Sequence, residues 1–172
     1  MIFDLKHTFI TSDHHFGSAR NPNPFRIFTE NEEEILIQKW NSVVKKDDIV
    51  IYNGDFHDCG FTSLVDYIKR LNGNKILVKG NHDYLGNDIY EILFNVVCDE
   101  LIIDNLNGLV VRHIPDLESN KPQIYGHFHF DQFKKLDSSI AFCSCVMRHD
   151  GYPIRLDEVA KQLKLQTDRE DC

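Results

Sequence analysis

No stretch of this chain approaches the roughly 20 consecutive apolar residues that a membrane-spanning helix needs, so a membrane span is excluded. Clustered Lys and Arg are missing as well. The net charge is −8, which weighs against long nucleic acid as a partner, because binding a phosphate backbone needs a basic surface. Divalent cations would cancel several of those charges locally, which leaves a short nucleotide or phosphate ester open. The five cysteines are odd in number and show no paired CxxC spacing; reduced, structural thiols are the expectation. Residues 1–10 carry Asp4, Lys6 and His7 among their apolar residues and lack a small-residue cleavage site, so they do not read as a signal peptide. The expected location is the cytoplasm. Internal repeats and low-complexity segments are absent too.

What is present fits one globular domain. The chain has 172 residues, 42% apolar and 27% charged, ordinary values for a protein with a sizeable core. A single domain is expected over residues 1–165, with 166–172 as a flexible tail. His7–Ser12 reads as a short buried strand running into Asp13. Residues 17–28 read as a loop punctuated by Pro22 and Pro24. Thr29 with Glu32 suggests a capping box opening a helix to about Val44, with Ile35, Leu36, Lys39, Trp40 and Val43 at helical spacing. Asp48–Asn53 is a second strand, 62–71 a helix closed by Gly73, and Lys75–Lys79 a third strand. This alternation implies parallel pairing with crossover helices. Strands then follow over 96–104, 109–114, 122–126 and 139–147, with a hairpin turn at Asn105–Gly108, and a last helix over 157–165. The expected fold class is α/β: a four-layer αββα sandwich of two mixed sheets flanked by helices.

The polar residues fall at particular places. Asp13-His14-His15, Gly54-Asp55, Gly80-Asn81-His82-Asp83, His113 and Gly126-His127-Phe128-His129 each follow an expected strand. Ligands of open α/β sheets bind where strands end, so five such ends can converge. Carboxylate, amide oxygen and imidazole without thiolate suit Mn²⁺, Fe, Zn²⁺ or Ni²⁺. Within Asp13-x-His15 and His127-x-His129, residues i and i+2 share one face of extended chain. Taken singly, each motif is more often a solvated loop or a turn; five in order are not readily produced by chance.

These five blocks resemble the calcineurin-like metallophosphoesterase superfamily, whose pattern is D-x-H, GD, GNH[DE], a lone H and GHxH. They span residues 13–129, about two-thirds of the chain. The segments SDHHFG (12–17), KWNSVVKKDDIV (39–50) and LNGNKILVKGNHD (71–83) are similar to its short bacterial and phage members. The chain departs in two places: Cys59 follows GDFHD where many members have a basic residue, and Arg112 precedes His113 where a small residue is common. The resemblance implies a first metal on Asp13, His15, Asp55 and His129, and a second on Asp55, Asn81, His113 and His127. Asp55 would bridge two divalent ions, Mn²⁺ foremost, about 3.5–4 Å apart. It further implies that a water between the ions attacks phosphorus. His82 would stay free of metal as the catalytic acid, with Asp83 as the catalytic partner holding its ring.

The remaining polar residues are weighed against plainer roles. His14 should point away from the site as a structural group. His57 reads as a surface loop histidine, and His7 and His149 as solvated. Asp58 is a candidate to orient a ligand through a hydrogen bond. Arg20, Arg26, Arg112 and Arg148 are the cations able to grip a phosphate in bidentate fashion. The expected activity is phosphodiester hydrolysis on a small or nucleotide-like substrate. The alternatives are a phosphatase acting on phosphoprotein or dinucleotide polyphosphate, and a catalytically silent metal-binding scaffold.

Overall fold

The computed structural model describes residues 1–18, 31–129 and 136–165. Its first half is a run of βα units: β1 (Thr8–Thr11), α1 (Glu32–Val43), β2 (Ile49–Asn53), α2 (Phe61–Arg70), β3 (Asn74–Val78), α3 (Asn87–Leu93) and β4 (Val96–Cys98). These four strands pair in parallel in the order β4-β3-β2-β1. Each crossover steps the same way across the sheet, so the right-handed rule puts all three helices on one face. Side chains alternate accordingly. Phe9, Val50, Tyr52 and Leu77 pack with Leu36, Trp40, Leu64 and Tyr90 of the helices. Ile10, Ile51, Ile76 and Val78 point the other way. Strands covered on both faces read as continuous apolar runs, which is why no polar alternation marks them in sequence.

The second sheet holds β5 (Leu101–Ile103), β6 (Leu109–Val111), β7 (Gln123–Tyr125) and β8 (Ala141–Cys143), in that order. Its first pair is antiparallel and the other two are parallel. Ile103, Leu109, Val111, Ile124 and Phe142 meet the inward face of the first sheet in one continuous cluster. The chain then returns as β9 (Ile154–Arg155), antiparallel to β1, and α4 (Leu156–Gln162) adds Leu156, Val159 and Ala160 to that cluster. Two mixed sheets flanked by helices are the α/β sandwich expected. The helices are unevenly shared. Tyr125, Ala141, Cys143 and Cys145 form a small cluster with Phe128, Leu136 and Met147, to which no described α-helix contributes.

Several boundaries differ from the sequence reading. The single strand expected over 96–104 is two strands in different sheets, parted by the exposed Asp99 and Glu100. An apolar run suits either sheet equally, so nothing but that acidic pair marks the crossing. The short α3 and β9 were not expected; seven and two residues are too few to show a period. Helix α1 starts at Glu32 after Asn31, whose side chain makes no capping bond, and Glu32, Glu33 and Glu34 complement the helix dipole instead. Thr29, most of the 17–28 loop and the 166–172 tail lie outside the described residues. Gly73 (φ +88) lies beyond the C-cap Leu71 and turns the chain into β3. The last helix stops at Gln162. The turn at Asn105–Gly108 joins antiparallel strands as expected, through a 3-10 turn and Asn107 at φ 56. No described helix is long and apolar enough to cross a membrane.

Leu64 is fully buried between α2 and the first sheet, whereas Ile92 is 77% exposed. Leu64→Ala is expected to lower the stability of metal-free protein by about 2–5 kcal/mol. Ile92→Ala should change it by less than about 0.5 kcal/mol. Urea unfolding followed by Trp40 fluorescence measures both.

Candidate active site

The strands of both sheets end at one seam. Ser12, just past β1, bridges in parallel to Cys145, and its hydroxyl lies 3.0 Å from Ser144 Oγ. Asn53, the last residue of β2, donates from its amide to Arg112 O (3.0 Å) and Ser144 Oγ (3.2 Å) across the gap between the sheets. His113 Nδ1 donates back to Asn53 O at 2.8 Å. These bonds hold the ends of β1 and β2 against the residues after β6 and β8.

Turning so many polar side chains into one space strains the backbone. Asp13 (φ 63), His15 (φ 48), Asp55 (φ 58) and His127 (φ 66) all adopt left-handed conformations, at a cost of order 1–2 kcal/mol each. Such strain clusters where function requires a fixed geometry. Two glycines are fixed by the close approach. A Cβ on Gly54 (φ +83) would lie 2.4 Å from His113 Nδ1, and one on Gly80 would lie 2.3 Å from Asp55 Oδ1.

Asp55 is 2% exposed and central. Its Oδ1 accepts His82 N at 2.8 Å; its Oδ2 lies 3.1 Å from His113 Nε2 and 3.7 Å from His15 Nε2. Asp13 accepts Ser12 Oγ (2.5 Å) and His127 N (3.0 Å), and lies 3.7 Å from His129 Nε2. Asn81 Oδ1 sits 2.9 Å from His127 Nδ1 and 3.2 Å from His113 Nε2. Three groups of donor atoms converge within 4.8 Å: Asp13-His15-His129, His15-Asp55-His82 and Asp55-His113-His127. His15 Nε2 is buried without a hydrogen-bond partner. Buried polar atoms are normally satisfied, so an imidazole nitrogen aimed unpaired among carboxylates fits a cation. The whole donor set, carboxylate and imidazole with one amide, suits a divalent transition metal.

The charges adjust to each other. Burial works against a proton on His113, but the bond to Asp55 and the charge of Asp13 outweigh it and push its pKa up to about 9. Burial alone would raise Asp55; His113 more than offsets that and holds it below the usual carboxylate range. Burial raises Asp13 in spite of His113 and Ser12. His127 is lowered by burial and by the neighbouring His113.

Other residues required correction. Asp83 does not hold His82. Its buried carboxylate accepts Asp55 N (2.9 Å), Gly80 N (2.8 Å) and Phe56 N (3.0 Å), tying the loops after β2 and β3 together. The partner of His82 Nδ1 is Asp58 Oδ1 at 2.7 Å, and the other oxygen of Asp58 meets His15 Nδ1 at 3.1 Å. Burial acts to raise Asp58, yet these two rings hold it well below the ordinary range. The GDxxD spacing was the only signal for it. His57 is not a surface residue but fully buried, bonded to Cys59 O (2.8 Å) and Tyr90 Oη (2.9 Å). His149 is half-buried rather than solvated: it stacks on Phe142 and bonds Cys143 O at 2.7 Å. His14 points away from the site as expected, against Tyr52 and Phe16. His7 is exposed but pairs with Asp48 at 2.9 Å. Arg112 is clamped between Glu100 and Asp116 rather than offered to a phosphate. Arg20 and Arg26 lie outside the described residues. Asn53, the tie between the sheets, belongs to no motif; an amide at the end of an apolar strand is its only mark in the sequence.

The family model for calcineurin-like phosphoesterase matches residues 7–141. The chain belongs to the calcineurin-like phosphoesterase family. An uncharacterized protein of Methanocaldococcus jannaschii is 30% identical, covering 93% of this chain and 93% of its own. A protein of unknown function from Aquifex aeolicus has a crystal structure that matches with TM-score 0.73 and 25% identity, over 90% of this chain and 97% of that one. A nuclease of Pseudomonas putida overlaps more loosely, with TM-score 0.47 and 21% identity over 71% and 60%. Metal-dependent phosphoester hydrolysis is the chemistry of the calcineurin-like phosphoesterase family.

Two outcomes follow for the metal-free protein. Asp83→Asn turns an acceptor of three backbone N–H groups into one that cannot accept all three, and should cost about 1–3 kcal/mol in urea unfolding. The pKa of His113 is raised above the ordinary 6.5 in the folded chain. Its stabilisation is therefore complete below about pH 6.5 and lost as pH rises through about 9. The difference in unfolding free energy between wild type and His113→Gln should shrink over that window; a difference that grows would reverse the assignment.

Proposed function

We propose that this chain is a dinuclear, divalent-metal-dependent phosphodiesterase of the cytoplasm, acting on a small or nucleotide-like phosphate ester. The observation that carries the reading is the buried carboxylate of Asp55, whose Oδ2 lies between the Nε2 atoms of His15 (3.7 Å) and His113 (3.1 Å). One ion would rest on Asp13, His15, Asp55 and His129, the other on Asp55, Asn81, His113 and His127, with Mn²⁺ the first candidate and Fe, Zn²⁺ or Ni²⁺ also suited to the donors. Such a pair, when bound, supplies charge neutralisation at the phosphate oxygens and lowers the pKa of water.

The chain's own residues do the rest. Asp58 fixes the His82 ring by accepting from Nδ1, which leaves Nε2 to hold a proton for the leaving oxygen. The same carboxylate orients His15, so the acid and one metal ligand move together. Asp83 acts through the backbone: it holds the Gly80–His82 turn against Asp55–Phe56. A proton on His113 competes with metal there, so metal uptake releases it. The overall charge of −8 favours small esters over long nucleic acid.

The test is hydrolysis of bis-p-nitrophenyl phosphate and p-nitrophenyl phosphate by stripped protein re-supplied with Mn²⁺, Ni²⁺, Zn²⁺ or Mg²⁺. Diester cleavage should return with a transition metal and vanish in Asp55→Ala. His82→Ala should keep two metals per chain and lose about 10²–10⁴-fold in kcat. Faster monoester cleavage would make the protein a phosphatase. Two bound metals with no turnover of either ester would favour the silent scaffold.

A further inference from the structure

Beside the proposed metal site lies an open cleft of about 380 Å³ whose lining includes Asn81, His113, Asp99, Glu100, Arg112 and Ile114. That volume falls within the usual range for sites that enclose small molecules. It opens where the chain crosses from β4 to β5, so its acidic edge comes from the only two residues between the sheets' adjoining strands.

Of the two basic side chains of the lining, Arg112 is paired with carboxylates and Lys79 bonds a neutral amide. Arg112 gives one nitrogen to Glu100 and lies 3.5 Å from Asp116 with another. The ammonium of Lys79 is turned onto Asn87 Oδ1 at 2.8 Å, above the Tyr90 ring. Asp99 is exposed and makes no hydrogen bond or ion pair among the described residues. A second phosphate placed here would meet the carboxylates of Asp99 and Glu100, and Arg112 is already paired with two acids. A group with hydroxyl or amino donors would meet a carboxylate ready to accept, a bond made stronger by the charge. The planar guanidinium of Arg112 is held between Glu100 and Asp116 at the edge of the cleft, and such a group can stack on an aromatic base. Ile114, 54% exposed, supplies apolar contact.

We propose that this cleft binds a nucleoside, as the non-leaving substituent of the phosphodiester, with Asp99 as the residue that accepts its hydroxyl or amino donors. The substrate part of this inference rests on the phosphodiesterase reading above; the binding part does not. The leaving group then lies on the other side of phosphorus, toward His82.

Binding and turnover are measured separately. Adenosine titrated into the metal-free chain should shift the NMR signals of the Gly80 amide and the Ile114 methyls, with ribose alone shifting them far less. Asp99→Asn, at an exposed position, should weaken adenosine binding about tenfold. In the metal-loaded enzyme, Asp99→Asn should lower kcat/KM for thymidine 5′-(p-nitrophenyl) phosphate by a similar factor and leave methyl p-nitrophenyl phosphate unchanged, since both release the same phenolate. No shift at millimolar adenosine, equal binding of ribose, or equal loss on both esters would overturn the cleft assignment. Turnover of neither ester with adenosine still bound would instead remove the phosphodiesterase reading and leave the nucleoside site standing.

Discussion

A carboxylate with 2% of its surface exposed is costly to bury unless other groups replace the water it loses. At Asp55 the replacements come from both halves of the molecule: the His82 amide from the first sheet's loops, and the His113 ring from the second. Remove either sheet and the charge is stranded. The seam bonds of Ser12, Asn53 and Ser144 therefore serve more than cohesion. They bring a basic ring from β6 to an acidic side chain from β2, and each half of the fold supplies what the other lacks. Asp13 and His127 repeat the arrangement on the opposite side.

The backbone geometry shows how tightly this is drawn. Asp13, His15, Asp55 and His127 sit on left-handed backbone, and two glycines leave room where a methyl group would strike His113 and Asp55. Strain of this sort persists because the inter-sheet core is extensive enough to hold it: Ile10, Ile51, Val78, Val111 and Ile124 are all buried in the cluster just behind the seam. The polar layer is thus carried on an apolar one, and the buried Asp83 stitches the two loops that carry Asp55 and Asn81 into one unit.

Much of this was legible in the sequence because strand ends are punctuated. Apolar runs closing on Gly54-Asp55, Gly80-Asn81 or Gly126-His127 announce both the strand and the chemistry beyond it. What the sequence does not carry is orientation. Asp58 and Asp83 are both acidic residues a few positions past Asp55 and Asn81, and only the folded chain tells that Asp58 turns to the rings and Asp83 to the backbone. His57 and His149 look like loop histidines until neighbouring aromatic rings enclose them. The break at Asp99-Glu100 was hidden for a similar reason: the flanking segments are apolar on both sides, and which sheet each joins is decided by partners far away in the chain.

One feature of the two sheets bears on how the molecule meets its own copies. The strands of four or five residues, β1, β2 and β3, are all interior. Every border strand is shorter: β4, β5 and β8 have three residues and β9 has two. An open row of backbone N–H and C=O groups is a template on which another chain can add itself, and the danger grows with its length. Here each border offers no more than a few such groups before the chain turns away. A protein with two open sheets and many apolar strands thereby avoids edge-to-edge aggregation without needing a barrel to close them.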